Sequence, residues 1–203
     1  MNDIETIMRL APVIPVLVLD LPEEAVAIGT ALVKGGLPVL EVTLRTPRAL
    51  EVVAAMASIE GAVVGAGTVL DAAQLDQALD AGARFIVSPG LTENLATVAA
   101  ARRACFLPGV ANASDIMRGL DLGLNRFKFF PAEANGGLKA LKSLAGPFGD
   151  VRFCPTGGVT LQSAPEWLAE DAVFCVGGSW LVRPGMSVEE VEAAARDAAS
   201  LRN

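Results

Sequence analysis

The 203-residue chain has no histidine and no tyrosine, and aromatic residues make up only 5% of it. Without histidine, Ser-His-Asp and Cys-His mechanisms are excluded, and so is the side chain that proteins use most often to move protons and bind metals. Carboxylates are present, but a divalent-metal site would have to be built from Glu41 and Glu133 alone. The sequence therefore predicts an activity that needs no metal and no other cofactor.

Cysteines and long apolar runs are also scarce. Cys105, Cys154 and Cys175 lie in separate apolar segments without a CxxC pair, which predicts reduced thiols inside a cytoplasmic protein. The apolar run at 12–19 is short, contains two prolines and follows acidic rather than basic residues. We therefore expect a cytoplasmic location, with neither a signal peptide nor a membrane span.

Basic residues are outnumbered, since 16 Lys and Arg against 23 Asp and Glu give a formal net charge of -7. A nucleic-acid-binding protein needs a basic face for the phosphates, so this balance argues against nucleic acid as a partner. A small anion can still bind at one local site made of arginine, lysine and backbone N–H groups.

After a short amphipathic opening at 2–10, β-rich runs alternate with Ala/Leu-rich segments that have helical spacing. The predicted strands lie at about 13–18, 39–44, 62–66, 84–88, 104–107, 125–130, 151–155 and 172–176. The predicted helices lie at about 22–35, 47–58, 71–81, 92–103, 113–122, 137–145, 161–169 and 187–201. Strands that are each followed by a helix form a parallel sheet. Eight such units predict an α/β fold with one domain, residues 1–203, that is a (β/α)8 TIM barrel with a short N-terminal helix; an open doubly wound sheet fits the same pattern.

The residues that follow the predicted strands are rich in glycine, proline and hydroxyl groups. They are EVTLRTP (41–47), GAGTVL (65–70), VSPG (87–90), LPGV (107–110), KFFPAE (128–133), PTGGV (155–159) and VGGSW (176–180). Each alone is an ordinary turn, but active sites of this fold lie at the carboxyl ends of the strands. Seven such turns at one face predict a site that closes around a small ligand.

Lys128 is the residue on which the predicted chemistry depends. It lies in an aromatic strand, where alternation places Phe127 and Phe129 on one face and Lys128 and Phe130 on the other. Burial favours the neutral amine, which can attack a carbonyl to form a Schiff base. A lysine at an exposed edge, or one whose ammonium reaches the strand end, would fit the same segment.

The second predicted strand carries polar residues at one parity, Glu41, Thr43 and Arg45, which we expect to face the barrel axis. An inward carboxylate needs a cation, and Lys128 is the candidate. Glu41 would then move protons in the Schiff-base steps, or form a structural ion pair. Arg45 would hold a substrate carboxylate through two parallel hydrogen bonds, or form a salt bridge at the barrel mouth.

Glycine pairs follow the last two predicted strands, where this fold commonly binds phosphate. Two tight turns without a ligand would have the same sequence. The expected phosphate ligands are backbone N–H groups and one hydroxyl, with a helix N-terminus nearby. They are Gly157, Gly158, Gly177, Gly178 and Ser179.

Two threonines complete the predicted site. GAGTVL lacks the last glycine of a dinucleotide-binding motif, so Thr68 is predicted instead to bind a substrate oxygen. Thr156 ends the seventh predicted strand and faces the same site. Together the residues predict a metal-free Schiff-base enzyme for an anionic, phosphorylated oxo compound.

The motifs EVTLRT, GAGTVL, SPG, LPGV, KFFPAE, PTGGV and GGSW, in this order, resemble the 2-keto-3-deoxy-6-phosphogluconate (KDPG) and 4-hydroxy-2-oxoglutarate aldolase family over essentially the whole chain. The resemblance implies a homotrimeric (β/α)8 barrel and a class I aldolase of the Entner–Doudoroff pathway. Such an enzyme cleaves the phosphorylated 2-oxo acid KDPG to pyruvate and glyceraldehyde 3-phosphate. Many members of the family also act on 4-hydroxy-2-oxoglutarate.

The resemblance also implies a role for each motif residue. Lys128 would form the Schiff base and Glu41 would be the acid/base group. The implied substrate contacts are Arg45 and Thr68 for the carboxylate, Pro89 and Phe130 for the pyruvate pocket, Thr156 for the substrate chain, and the two glycine pairs for the phosphate.

Three other functions fit part of the pattern. The first is an aldolase for the galactonate epimer or for a substrate without phosphate. The second is a phosphosugar isomerase or epimerase on a similar barrel, which would not need Lys128. The third is a non-catalytic barrel that binds a phosphorylated metabolite, against which the inward Glu–Lys combination argues.

Overall fold

The computed structural model describes residues 3–201 and consists of parallel strands alternating with helices. The strands are β1 (Val13–Leu17), β2 (Val39–Thr43), β3 (Val63–Gly67), β4 (Phe85–Val87), β5 (Cys105–Leu107), β6 (Gly109–Val110), β7 (Arg126–Phe129), β8 (Arg152–Pro155) and β9 (Val176–Gly178). The helices are α1 (Ile4–Arg9), α2 (Pro22–Lys34), α3 (Ala49–Ala57), α4 (Ala72–Asp80), α5 (Glu93–Ala101), α6 (Ala113–Asp121), α7 (Gly137–Ala145), α8 (Ala164–Leu168) and α9 (Val188–Ala199). The predicted α/β class and the short N-terminal helix are confirmed.

All strand pairs are parallel, as expected when a helix connects each strand to the next. One sheet has six strands in the order β5-β4-β3-β2-β1-β9, and a second has three in the order β6-β7-β8. Isolated parallel bridges join Phe153 to Val173 and Thr156 to Gly177, between β8 and the β9 segment. The continuous ladders thus form a half-barrel and a smaller sheet, and not the predicted uninterrupted ring of eight strands.

Alternation along the strands separates two cores. Leu40 and Val42 of β2 belong to a large cluster that packs the sheet against the helices. Val39, of the opposite parity, belongs to a smaller cluster with Ile14 of β1 and Phe85 of β4. This inner cluster lies on the face of the sheets that also carries Glu41 and Thr43, because residues two apart on a strand share a face.

Helix α1 closes the inner cluster at the amino ends of the strands, where Ile7 and Met8 are buried. Its Glu5 accepts hydrogen bonds from Arg126 at 2.6 and 3.0 Å and from Arg9 at 2.8 Å. These bonds, that of Arg126 foremost, hold the pKa of the Glu5 carboxyl below its ordinary value. The ion pair thereby joins the first helix to β7.

Local sequence explains where several helices begin. The side chains of Asp71, Thr92 and Asn112 accept hydrogen bonds from the backbone three residues on, at the starts of α4, α5 and α6. The predicted start at Pro47 is wrong by two residues, because α3 begins at Ala49. The hydroxyl of Thr46, just before this proline, donates a hydrogen bond to the Leu19 carbonyl at 2.7 Å, and the loop continues to Arg48.

Two strands differ from the prediction. The fifth continues past Leu107 as β6, with Pro108 between the two parts, since proline has no N–H to donate to a ladder. The last predicted strand at 172–176 is displaced, because β9 starts at Val176 and only Val173 makes a bridge before it. In the apolar run at 172–176, only the last residue belongs to β9, and the residues before it form a loop.

Cys154 and Cys175 are buried as predicted, whereas Cys105 is only partly buried. Desolvation, and to a smaller extent the charge of Asp3, raises the pKa of the Cys105 thiol. Between residues 3 and 201, no helix is both long and apolar enough to span a membrane.

Candidate active site

Lys128 lies in the middle of β7, hydrogen-bonded between β6 and β8, with Gly109 and Cys154 as its neighbours in register. Its side chain is 5% exposed. The Nζ atom donates a hydrogen bond to Oε1 of Glu41 at 3.0 Å. Of the two readings of this lysine, the structure therefore favours burial inside the sheets over an exposed edge.

Glu41 reaches this position because β2 is buried along its whole length and presents its odd-numbered residues to the interior. The carboxylate side chain is 4% exposed, so both partners of the ion pair are removed from solvent. A buried pair of this kind is costly to desolvate, so it contributes little net stability. The predicted inward face and the predicted partner are both found.

Beyond the end of β2, Arg45 donates a hydrogen bond from Nε to the Thr68 hydroxyl at 3.1 Å. Thr68 has a φ of 59°, a left-handed backbone conformation that is uncommon for a threonine. Within residues 3–201, no carboxylate lies within ion-pair distance of Arg45. The guanidinium is therefore available to an anion.

A cavity of about 90 Å³ opens at the carboxyl ends of β1, β2, β8 and β9. It is lined by Val16, Arg45, Thr156, Gly157, Gly158, Val159, Gly177 and Ser179. Five of the residues predicted to contact the substrate or its phosphate thus line one space with Arg45. The arrangement places a guanidinium, two hydroxyl groups and glycine backbone around a volume suited to a small anion.

The glycine pairs differ in how they contribute to this cavity. Gly157 and Gly158 have φ values of 99° and 85°, so the turn after β8 requires two residues without side chains. Gly177 lines the cavity, but Gly178 is buried beneath Trp180, where a Cβ would come within 2.7 Å of the indole ring. The helices that follow begin only at Ala164 and Val188, so neither starts directly at a glycine pair, as a helix-assisted phosphate site would require.

Phe130 and Pro89 are the residues of the implied pyruvate pocket. The Phe130 ring centroid is 5.2 Å from Nζ, and the ring would be 3.4 Å from a Cβ on Gly157. The backbone of Pro89 packs closely against Gly109, the register neighbour of Lys128. The structure therefore places the Phe130 ring near the lysine and the Pro89 backbone against the strand that neighbours it.

Three residues that the sequence reasoning did not single out support this arrangement. Asn135 donates a hydrogen bond to the Phe130 carbonyl at 3.0 Å, and Ser88 bonds the Gly90 carbonyl in the loop that carries Pro89. Gly67 lies directly against the Glu41 side chain. Of these three, only Gly67 could have been predicted from the sequence, because alternation along its strand places it on the inward face.

The described part of the chain contains no group of three or more His, Cys, Asp or Glu side chains arranged to hold a metal ion. Glu41 is bonded to Lys128, while Glu133 lies at the surface beside Gly158. These two carboxylates, the only candidates from the sequence, therefore do not form a shared site.

A family profile described as "Aldolase: KDPG and KHG aldolase" matches residues 4–196. The chain belongs to this family. A 2-dehydro-3-deoxy-phosphogluconate aldolase of Zymomonas mobilis is 59% identical over 203 residues, which is 100% of this chain and 98% of the relative. The recognition made from the strand-end motifs is confirmed.

Solved structures of the family have the same fold. The Zymomonas mobilis ZM4 aldolase, crystallised with 3-phosphoglycerate, superposes with a TM-score of 0.97 over 100% of this chain and 97% of its own. The KDPG aldolase of Legionella pneumophila, 39% identical, superposes with a TM-score of 0.93 over 97% of this chain and 98% of its own. That structure contains pyruvate captured at low pH as a covalent carbinolamine intermediate.

Proposed function

We propose that the protein is a class I aldolase that cleaves KDPG to pyruvate and glyceraldehyde 3-phosphate without a metal or other cofactor. The observation that carries the proposal is the buried pair of Lys128 and Glu41, 3.0 Å apart on β7 and β2, with an anion-sized cavity at the carboxyl ends of β2 and of β8, the neighbour of β7. Membership of the KDPG and KHG aldolase family supports the same activity, and the carbinolamine of the Legionella enzyme shows that a relative binds pyruvate covalently.

The reaction starts when Lys128 gives up a proton, for which Glu41 is the acceptor within hydrogen-bond distance. The neutral Nζ attacks the C2 carbonyl, and the carbinolamine loses water to give a protonated imine. Glu41, having returned its proton to the departing water, then accepts the proton of the C4 hydroxyl. The C3–C4 bond breaks, and its electron pair moves into the imine to give an enamine and glyceraldehyde 3-phosphate. Protonation at C3 and hydrolysis then release pyruvate and free Lys128.

The other predicted site residues would hold the two charged ends of the substrate. We propose that Arg45 and Thr68, already hydrogen-bonded to each other, bind the carboxylate, and that Thr156 contacts the chain. Phe130 and Pro89 would cover the pyruvate portion beside Lys128. The phosphate would lie against the two glycine turns and Ser179, with Gly178 supporting the turn from below.

Further features of the proposal rest on the family. We infer a closed (β/α)8 barrel over residues 1–203, for which the bridges between β8 and the β9 segment and the near-continuity of β5 and β6 are supporting observations. We also infer a cytoplasmic homotrimer, with no nucleic acid or membrane as partner. Activity on 4-hydroxy-2-oxoglutarate is included, since the family description names both substrates.

Incubation with pyruvate followed by borohydride tests the central step, because reduction fixes an imine as a stable amine. We expect one pyruvate-sized reduced adduct, mapped by peptide mass to Lys128. Lys128→Met should lose both adduct and cleavage of KDPG, whereas Lys142→Met, a matched change of an exposed lysine, should keep both. A folded protein without the adduct, or turnover of a phosphosugar that survives Lys128→Met, would instead support an isomerase or epimerase.

A further inference from the structure

Gly67, at the end of β3, occupies the position next to the carboxylate on which the proposed chemistry depends. A methyl group built there would lie 2.7 Å from Cγ and 2.8 Å from Cδ of Glu41, and closer still to Oε1. Ordinary contacts of a Cβ atom begin at about 3.4 Å. The space that a side chain at this position would fill is therefore occupied by the Glu41 carboxylate.

Backbone conformation does not explain the glycine. Gly67 does not have a positive φ, whereas its neighbour Thr68 has a φ of 59°. An alanine at position 67 would therefore meet no backbone strain, and the three atoms nearest to its Cβ would all belong to Glu41. The requirement at this position is for space and not for flexibility.

The hydrogen bonds between β2 and β3 prevent the two backbones from separating to accept a methyl group at position 67. Gly67 pairs with Thr43 in the β2–β3 ladder, and its carbonyl accepts a hydrogen bond from the Leu44 N–H at 2.8 Å. The Glu41 side chain would have to move instead, and at Cγ the gap must grow from 2.7 Å to at least 3.4 Å. A shift of this size one bond from Cβ turns χ1 well away from its present angle, which takes the carboxylate away from Lys128.

We propose that Gly67 is a positioning residue, which holds the Glu41 carboxylate against Lys128 by leaving it the only space from which it reaches Nζ. A similar arrangement occurs in the cavity lining, where a Cβ on Gly177 would lie 2.7 Å from Cγ2 and 3.0 Å from Cβ of Thr156. The glycine on β3 thus leaves space for Glu41 of β2, and the glycine on β9 leaves space for Thr156 at the end of β8. The catalytic consequence rests on the proposed function, whereas the steric consequence does not.

The test is a double-mutant cycle with Gly67→Ala, Glu41→Ala and the double variant. In Gly67→Ala we expect kcat for KDPG cleavage, and the rate of deuterium exchange into the pyruvate methyl group, to fall about 100-fold or more, with KM changed less than threefold. Glu41→Ala removes the group that the new methyl would strike. The double variant should therefore match Glu41→Ala within about twofold in both rates.

A matched control is Gly149→Ala, because no atom lies within 4 Å of a Cβ built at that exposed residue. It should keep wild-type kcat, KM and melting temperature. A role of Gly67 in general packing would reduce both rates by the same factor with and without Glu41, and would overturn the proposal. Wild-type rates in Gly67→Ala would overturn it as well.

The melting temperatures separate this proposal from the assignment of function. We expect Gly67→Ala to melt below the wild type and the double variant to melt no lower than Glu41→Ala, whether or not the protein cleaves KDPG. If the wild type has no aldolase activity but the melting temperatures follow this pattern, the function is wrong and the steric role of Gly67 stands. If Gly67→Ala alone does not fold, recovery of folding in the double variant supports the proposal, and its absence refutes it.

Discussion

Lys128 and Glu41 form a buried ion pair whose contribution to stability differs from that of an exposed pair. Coulomb's law at an effective dielectric constant of about 20 gives roughly 5 kcal/mol of attraction between unit charges at the observed separation. Removing two ions from water costs several kcal/mol for each of them, which offsets that attraction. We therefore expect the intact pair to contribute little net stability, even though its geometry is good.

Removing only one partner is predicted to be costly. Lys128→Met fills most of the volume of the lysine but leaves a carboxylate that is 4% exposed without its cation. We expect the free energy of unfolding to fall by about 3–5 kcal/mol. The double variant Lys128→Met/Glu41→Leu buries no charge, because both new side chains are apolar. We expect it to recover at least about 2 kcal/mol of that loss while remaining inactive.

Urea unfolding, followed by circular dichroism and analysed for midpoint and m-value, measures these differences. All variants must be compared at one protein concentration, since subunit association would add to apparent stability. Lys142→Met is the matched control, because its ion pair with Glu170 is as short as 2.6 Å but its lysine is 54% exposed. It should cost less than about 1 kcal/mol. Equal losses in Lys128→Met and Lys142→Met, or a double variant no more stable than Lys128→Met, would refute the reasoning.

Three further predictions concern the periphery of the site and the helices. Arg126 and Arg9 lower the pKa of the Glu5 carboxyl in the folded state, so its ionised form stabilises the protein above about pH 4.5 and this contribution is lost as the pH falls through the lowered pKa. Glu5→Gln should therefore lower the melting temperature at pH 7 but have little effect at pH 3, and an equal effect at both would contradict this. Arg45→Met should raise KM for KDPG about 10- to 100-fold with a smaller change in kcat, because a charged hydrogen bond to the substrate is lost. Both constants are measured with lactate dehydrogenase as coupling enzyme, and an unchanged KM would exclude Arg45 from the site. Asp71→Ala should cost about 1 kcal/mol in urea unfolding, because the N-cap of α4 is lost; an unchanged free energy of unfolding would mean that solvent replaces the cap.

The sequence allowed the elements and the central pair to be predicted because both depend on local pattern. Alternation along β2 was enough to place Glu41 on the inward face, and the aromatic strand was enough to place Lys128. The break at Pro108 and the displacement of β9 were missed because apolar composition does not distinguish a strand from a buried loop. The separation of Gly178 from the cavity could have been predicted, because alternation along β9 places Gly177 and Gly178 on opposite faces and Trp180 shares the parity of Gly178.

The inward face of the sheets shows why the site lies at the carboxyl ends. Towards the amino ends this face is filled by apolar side chains, with Val39, Phe85 and Ile14 buried in one cluster that α1 covers. Towards the carboxyl ends the same face carries Gly67 and Gly177, whose missing side chains leave room for polar groups. Apolar residues at those two positions would add buried area and stability, but they would occupy the space from which Glu41 reaches Lys128 and Thr156 reaches the cavity. The inward face of the sheets therefore has an apolar part towards the amino ends, which packs as core, and a polar part towards the carboxyl ends, which carries the reacting groups. Gly67 and Gly177 leave the space that the polar part needs.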